Sequence, residues 1–299
     1  MSGVLCFYKP QGCTSHDVVN KVRRLFATKQ VGHTGTLDPL AEGVLVLMIG
    51  RAVKASELLS ADEKEYVAEM RLGFTTDTED ITGKILTEYT GALPSSEEVE
   101  KTVLRFSGEI EQIPPMYSAL KVDGKKLLDL ARNGQTVERK PRAVRVDRIE
   151  LYPTEKESDY VLNLRVSKGT YVRTLCADIG KILGTGAVMS KLIRTSCGNM
   201  GIEDALTEQQ LSEMTLEERY GVLKPVEELF SELDEVTLPE FFARLASHGC
   251  ELYQKKLGTH YAADTLVRLS DKDGFFAIGR VCDFPDGTAI KPIKQFRIE

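Results

Sequence analysis

The feature that most constrains this chain is a twelve-residue string near its amino end, Gly32-His33-Thr34-Gly35-Thr36-Leu37-Asp38-Pro39-Leu40-Ala41-Glu42-Gly43, followed at once by the apolar run Val44 to Ile49. A short apolar run bounded by glycines reads as a buried strand. Glycines let the backbone turn tightly and let a ligand come close. Pro39 fixes its own φ and biases Asp38 towards extended geometry. The string therefore holds one carboxylate on a stiff loop beside a core strand, a suitable place for a nucleophile or general base. The competing reading is an Asp-Pro turn in which Asp38 only accepts backbone hydrogen bonds.

At 299 residues the chain is long enough for two domains and for a core that needs no staples. No apolar run approaches the ~20 residues of a membrane span, and the start, MSGVLCFYKPQG, lacks a signal peptide's layout. Six cysteines form no C-x-x-C pair and four histidines show no metal spacing. The expectation is a cytoplasmic protein with reduced thiols, no metal and no membrane. Net charge is −6, which alone argues against nucleic acid, but its distribution argues the other way. Residues 203–235 hold eleven acids and two bases, a balance of −9, so the rest of the chain sums to +3. Between Lys121 and Arg148 nine bases face four acids, a footprint for phosphate on a chain acidic overall.

Periodicity gives a mixed order of elements. Strands are expected at Val4 to Tyr8, Val44 to Ile49, Tyr66 to Leu72, Val144 to Leu151, Tyr160 to Val166 and Met189 to Ile193. Helices are expected from Ser15, as cap, to Phe26, from the Ser95/Glu98 capping box to Phe106, over Lys125 to Arg132, and from Gly169 to Leu183. Without a strict βαβ rhythm the pattern favours an α+β fold with a largely antiparallel sheet and flanking helices. Beyond 236 come a helix, Pro239 to Ser247, and three short strands at 265–269, 275–281 and 289–296, with Asp-Gly turns between them. The expected division is a catalytic body over 1–235, with an inserted arm at about 113–145, and a small β-rich domain over 236–299.

Four segments resemble the bacterial tRNA pseudouridine-55 synthase family, the TruB type. They are Lys9-Pro10-x-Gly12-x-Thr14-Ser15-His16; the Gly32–Gly43 string; Tyr66 with Arg71-Leu72-Gly73 and Thr76-Asp77-Thr78-x-Asp80; and Ser167-Lys168-Gly169-Thr170-Tyr171-Val172-Arg173-Thr174-Leu175. A fifth, Ile113 to Lys121, also looks like that family. Order and spacing match through about residue 235. The resemblance implies a pseudouridine-synthase-like fold, with a PUA-like domain at the end. It implies isomerisation of uridine 55 in the tRNA T loop: the glycosidic bond breaks, the base turns, and C5 rejoins C1′. Asp38 matches the catalytic carboxylate. Attack at C1′, attack at C6 and removal of the 2′ proton are all open to it. No cofactor is implied.

The same resemblance assigns the remaining site. Arg173 would pair with Asp38, bidentately if its fork allows, and keep it ionised and aimed. Tyr66 would stack on the uracil and is a candidate to take the C5 proton, Leu192 would pack against the base, and Asp80 lies near the arginine or caps its own loop. His33 would hold the RNA loop open after the target flips out. Lys9 belongs to a motif that supports the catalytic loop, and is also grouped with the RNA-facing cations Lys121, Lys125, Lys126, Arg132, Arg139, Lys140 and Arg142. The partner is tRNA, bound by a monomer with no obligate protein partner. Two other functions are weighed: an RNA-guided, dyskerin-type synthase, and a tRNA-folding helper whose catalysis is secondary.

Overall fold

Two kinds of hydrophobic pattern build the main sheet of this computed structural model, which describes residues 2–58, 63–118, 120–122 and 124–297. In β1 (Gly3–Lys9) and β2 (Glu42–Ile49) nearly every residue is buried, as expected of strands covered on both faces. In β3 (Lys64–Leu72) burial alternates, with Tyr66, Ala68, Met70 and Leu72 facing inward. The central path of the sheet continues through β4 (Gly108–Gln112), β5 (Arg142–Pro153), β6 (Asp159–Val166) and β7 (Ala187–Cys197), and the short strands Val31–His33 and Met200–Gly201 pair onto β2 and β7 beside it. Its order is β1-β2-β7-β3-β6-β5-β4, and only the β2/β7 contact is parallel. The α+β, largely antiparallel expectation therefore holds. The short edge strand β4 was not legible: in GEIEQ only Gln112 is fully buried.

The parallel contact positions the Asp38 loop. Gly43 pairs with Arg194, and a Cβ at Gly43 would lie 2.2 Å from the Arg194 carbonyl oxygen, at a φ of +101°. Only glycine lets the loop enter the sheet there. Helix α1 (Ser15–Leu25) supports the loop from below. Its cap is Thr14, in a reciprocal box with Asp17, and not Ser15 as the sequence suggested. Ser15 is free for another task. Its hydroxyl donates to the Leu37 carbonyl at 3.1 Å and accepts from the Leu37 amide at 2.8 Å.

Helix α2 (Ser96–Leu104) starts at the expected Ser95/Glu98 box. Helix α3 (Val172–Leu183) buries Val172, Leu175, Cys176 and Ile179 against the sheet, and it stops at Gly184 in the left-handed region. It starts three residues later than expected, because Gly169 lies in the preceding turn at φ +81°. Between β4 and β5, Lys121–Val122 pairs with Lys125–Lys126, and a short helix covers Leu127–Arg132. The pairing withdraws Lys125 and Lys126 from the helix expected over 125–132.

A second sheet has the order Glu235–Thr237, Leu266–Asp271, Gly274–Phe284, Gly287–Gln295, Leu252–Tyr253. Its three long members are the expected ones; the two outer strands, of three and two residues, are too short to show periodicity. This sheet has its own core of Val236, Leu252, Val267, Leu269, Val281 and Ile290. Met48, Ala52 and Ala55 of the first body, with Val226 and Phe230, pack onto Ile278 and Phe296 of the second. Among the described residues, no helix is long and apolar enough to cross a membrane.

Replacing Gly43 by Ala should lower the unfolding free energy by about 3 kcal/mol, since the clash is with backbone and the left-handed φ adds strain. Urea unfolding of the two proteins measures it; a loss below about 1 kcal/mol would show that the crossing can relax.

Candidate active site

Asp38 and Arg173, 135 positions apart in the sequence, meet at the base of a 580 Å³ cleft. Arg173 Nε lies 2.9 Å from Asp38 Oδ2; the Arg173 side chain is 5% exposed and that of Asp38 37%. The carboxylate is therefore reachable from solvent while its partner is sealed behind it. Arg173 Nη1 donates to the Thr78 carbonyl at 2.9 Å, and Nη2 donates to the Tyr117 carbonyl at 3.0 Å. The bidentate pairing envisaged from sequence gives way to this arrangement, because both terminal nitrogens serve main-chain acceptors.

Asp80 lies near Arg173 and also ties its own loop, the two placements weighed as alternatives from sequence. Its Oδ2 lies 3.8 Å from Arg173 Nη1. Its Oδ1 accepts from the Thr82 amide at 2.9 Å, the Thr82 hydroxyl at 2.6 Å and the Thr78 hydroxyl at 2.8 Å, which ties the loop that carries Thr78. Sequence reasoning missed Glu79. It sits at φ +64° and accepts a 2.6 Å hydrogen bond from Thr174 Oγ1, next to Arg173.

Two buried cations clamp the Asp38 loop from opposite ends. Lys9 is 0% exposed, and its Nζ donates to the Ala41 carbonyl at 2.6 Å and to the Pro10 carbonyl at 3.0 Å. Its grouping with RNA-facing cations is thus corrected: no RNA can touch it, while loop support is what it does. Arg194, also 0% exposed, donates from Nε to the Val44 carbonyl at 2.6 Å and from Nη2 to Gly35 at 3.1 Å. Arg194 was not singled out from sequence. The available signal was weak: a second cation in the β7 pattern, three residues after Lys191.

Tyr66 is 8% exposed and pairs with Arg194 across β3 and β7. It lines the cleft with Leu192, Tyr171 and Leu37. Burial pushes its phenol up, and Arg194 acts against that. Asp38 shows the same contest. Burial raises its carboxyl above the ordinary value, Arg173 pulls it back, and Asp80 raises it further. The net direction is upward, so burial outweighs the pairing from which the sequence reading expected a stabilised charge.

The two family models that match the chain are the TruB family pseudouridylate synthase N-terminal domain, over residues 23–172, and the tRNA pseudouridylate synthase B C-terminal domain, over 173–231. The chain belongs to the TruB family. It is 40% identical over 281 residues to tRNA pseudouridine synthase B of Clostridium tetani, covering 94% of this chain and 96% of the relative. With the namesake enzyme of Heliobacterium modesticaldum it shares 39% over 99% of this chain and 96% of the relative. Among solved structures it is similar to a Cbf5-Nop10-Gar1 complex, at a TM-score of 0.76 and 26% identity, over 99% of this chain and 85% of that one.

Within this TruB-family chain the remaining candidates separate. Arg142 and Lys168 are exposed and line the cleft, as does the half-buried Lys64; the two lysines were not chosen from sequence. Lys125, Arg132 and Lys140 are exposed on the arm. Arg139 is half-buried and donates to the Pro114 carbonyl at 3.0 Å, bracing the base of the arm. The side chains of Lys121 and Lys126 lie outside the described residues. His33 ends the short strand Val31–His33, with Nδ1 buried and unpartnered; burial and nearby Arg194 hold its pKa down.

Because the folded-state pKa of Asp38 is raised, its ionisation opposes folding at neutral pH, and that opposition fades as pH falls through the raised value. Asp38→Asn should therefore leave the thermal midpoint at pH 7 unchanged or higher, with the difference shrinking on acidification. A clear drop at pH 7 would mean that the Arg173 pair, not burial, dominates.

Proposed function

We propose that this chain isomerises uridine 55 in the T loop of tRNA to pseudouridine, with Asp38 as the catalytic carboxylate. The observation that carries the reading is the Asp38–Arg173 pair, half-open on one side and sealed on the other, at the base of a cleft large enough for a nucleotide. The reaction breaks C1′–N1 and forms C1′–C5. The C5 proton leaves and N1 gains one, so atoms balance without any redox change. A carboxylate held by a rigid loop serves each route: attack at C1′, attack at C6, or removal of the 2′ proton. The Lys9 and Arg194 clamps keep it from swinging as the base turns.

Tyr66 offers its ring to the flipped uracil and its phenol to the C5 proton, while Leu192 supplies an apolar wall. To take the C5 proton the phenol must first release its own, and burial, which favours the protonated form, makes that the costly part of the exchange. The base must leave its stack to reach Asp38, and contacts made by the arm and cleft mouth would offset that cost. Arg142, Lys64 and Lys168 are placed for phosphates, and Lys125, Arg132 and Lys140 extend the positive surface along the arm. His33 would fill the space left by the flipped base. We assign 1–235, with the arm at about 113–145, as the catalytic domain and 236–299 as a small RNA-binding domain. The enzyme acts as a cytoplasmic monomer on tRNA. The roughly 40% identity to bacterial tRNA enzymes outweighs the 26% shared with the Cbf5 complex, so the RNA-guided reading is set aside.

Unmodified tRNA incubated with the purified protein and no guide RNA should acquire pseudouridine, mapped by carbodiimide adducts. Asp38→Asn should abolish product, by at least about a thousandfold, while tRNA affinity stays within about threefold. Guide dependence, or product from the Asn variant, would sink the assignment. The acid limb of kcat/KM should lie above the ordinary aspartate range, because the carboxyl must be ionised and burial raises its pKa. Neutralising Lys140 and Arg142 together should reduce the log–log salt slope of tRNA binding by about two; an unchanged slope would remove the arm from the interface.

A further inference from the structure

We infer that the cleft between the 3-10 helix Gly50–Glu57 and the second sheet binds a backbone phosphate of the substrate RNA, with Arg51 as its main ligand. The inference rests on the tRNA reading above and adds a contact remote from the reacting base. The cleft has a volume of 230 Å³ and is lined by Arg51, Ser247, His248, Asp271, Gln295 and Arg297, among others. Arg51 is the unusual member. It makes no hydrogen bond or ion pair among the described residues, and its Nε is buried. Arg173 and Arg194, by contrast, spend their nitrogens on carbonyls and carboxylates. A buried donor without an acceptor costs about 1–3 kcal/mol. A planar fork of donors facing a cavity matches a phosphate.

The other charges of the lining do not cancel Arg51. Asp271 is already engaged: Arg297 Nη2 donates to its Oδ2, and its Oδ1 accepts from the Asp273 amide at 2.8 Å. Arg297 also lies over the Phe276 ring, 5.5 Å from its centroid. His248 donates from Nδ1 to the Arg244 carbonyl at 2.7 Å, which leaves Nε2 unengaged among the described residues. The walls are pre-formed. Gln295 donates to the Ala246 and Ser247 carbonyls at 3.0 and 2.8 Å, and Met48, Ala52, Ile278 and Phe296 pack both sides together.

The geometry of β2 favours RNA over a free anion. The Asp38 loop enters this strand at Glu42, and Arg51 follows its other end at Ile49. At about 3.3 Å per residue the strand separates the two sites by about 23 Å. At the roughly 3.4 Å per base pair of B-DNA a duplex would cover that in about seven pairs, and an A-form RNA stem, with its smaller rise, needs at least as many. A stem stacked beyond the target loop can therefore place a phosphate at Arg51, whereas a short hairpin ends before it.

The test compares wild type, Arg51→Gln and Arg51→Lys on two RNAs: intact unmodified tRNA, and a T-arm hairpin with fewer base pairs than that span. Arg51→Gln should weaken tRNA binding about fivefold and lower the salt slope by about one, and Arg51→Lys should recover most of both. Neither should alter affinity or rate on the hairpin. Equal losses on both RNAs would show that Arg51 acts through the fold, and no loss on either would show an empty role; both overturn the inference. Thermal unfolding with added inorganic phosphate supplies the remaining arm. Stabilisation of wild type but not of Arg51→Gln, with tRNA affinity unchanged, would mean a free-anion site and overturn the RNA assignment. Wild-type turnover of the hairpin reports separately on the tRNA reading.

Discussion

The guanidinium of Arg173 is the joint on which the rest of the site turns. It reaches the Asp38 carboxylate, the Thr78 carbonyl, the Tyr117 carbonyl and the neighbourhood of Asp80 at once. Those groups come from the Gly-rich loop, the hairpin after β3 and the base of the arm. A buried arginine has few ways to satisfy its donors, so each of these segments is held where the others need it. Its own position is set by α3, whose buried stripe of Val172, Leu175, Cys176 and Ile179 anchors the helix in the core. The Thr174–Glu79 bond then fixes the loop that supplies the Thr78 carbonyl. Fold and chemistry are coupled through a single side chain.

The Asp38 loop illustrates how an irregular segment is made rigid without regular hydrogen bonding. The carbonyls of Gly35, Leu37 and Ala41 go to Arg194, Ser15 and Lys9 in turn, contributed by β7, α1 and β1. Charged donors give stronger bonds than neutral ones, and burial strengthens them again. The same burial raises the pKa of Lys9's neighbour Asp38 and lowers that of Lys9 itself. The site thus accepts an electrostatic cost in order to fix a carboxylate within reach of a base.

Much of this was legible in the chain because the relevant signals are local. The Gly32–Gly43 string, the alternation of Tyr66 to Leu72 and the Ser95/Glu98 box each announce their own geometry within a few residues. Asp38, Tyr66, Arg173, Leu192 and Asp80 do converge on one cleft and its supporting loop. What could not be read is where a polar side chain points. Lys9 in an apolar strand and Arg142 at the start of another look alike as letters, yet one is sealed under a loop and the other faces the cleft. Arg194 and Glu79 were missed because their importance lies in partners more than ninety residues away in sequence. The short strands Gly108–Gln112 and Glu235–Thr237 escaped because edge strands so brief carry no period.

The acidic stretch from Glu203 to Glu235 poses a problem for a chain that must hold a polyanion, and the structure answers it by pairing. Glu208 meets Lys21 at 2.6 Å, Asp204 meets Lys224 at 3.0 Å and Glu227 meets Arg268 at 2.9 Å. Lys224 also exchanges backbone hydrogen bonds with Val4, so the segment covers the outer edge of β1, which would otherwise be open to pairing. The acids thereby do structural work: Glu208 ties the segment to the first half of the chain, Glu227 ties it to the second sheet, and Asp204 holds Lys224 of the segment itself. Paired and distributed charges of this kind are screened over a Debye length of about 8 Å at physiological salt. The cations Lys64, Arg142, Lys168, Arg173 and Arg194 line one cleft, in which Asp38, paired with Arg173, is the acid of the lining. For a phosphate entering that cleft, the local concentration of positive charge matters more than the sum over the molecule, which is why a net charge of −6 and RNA binding are compatible.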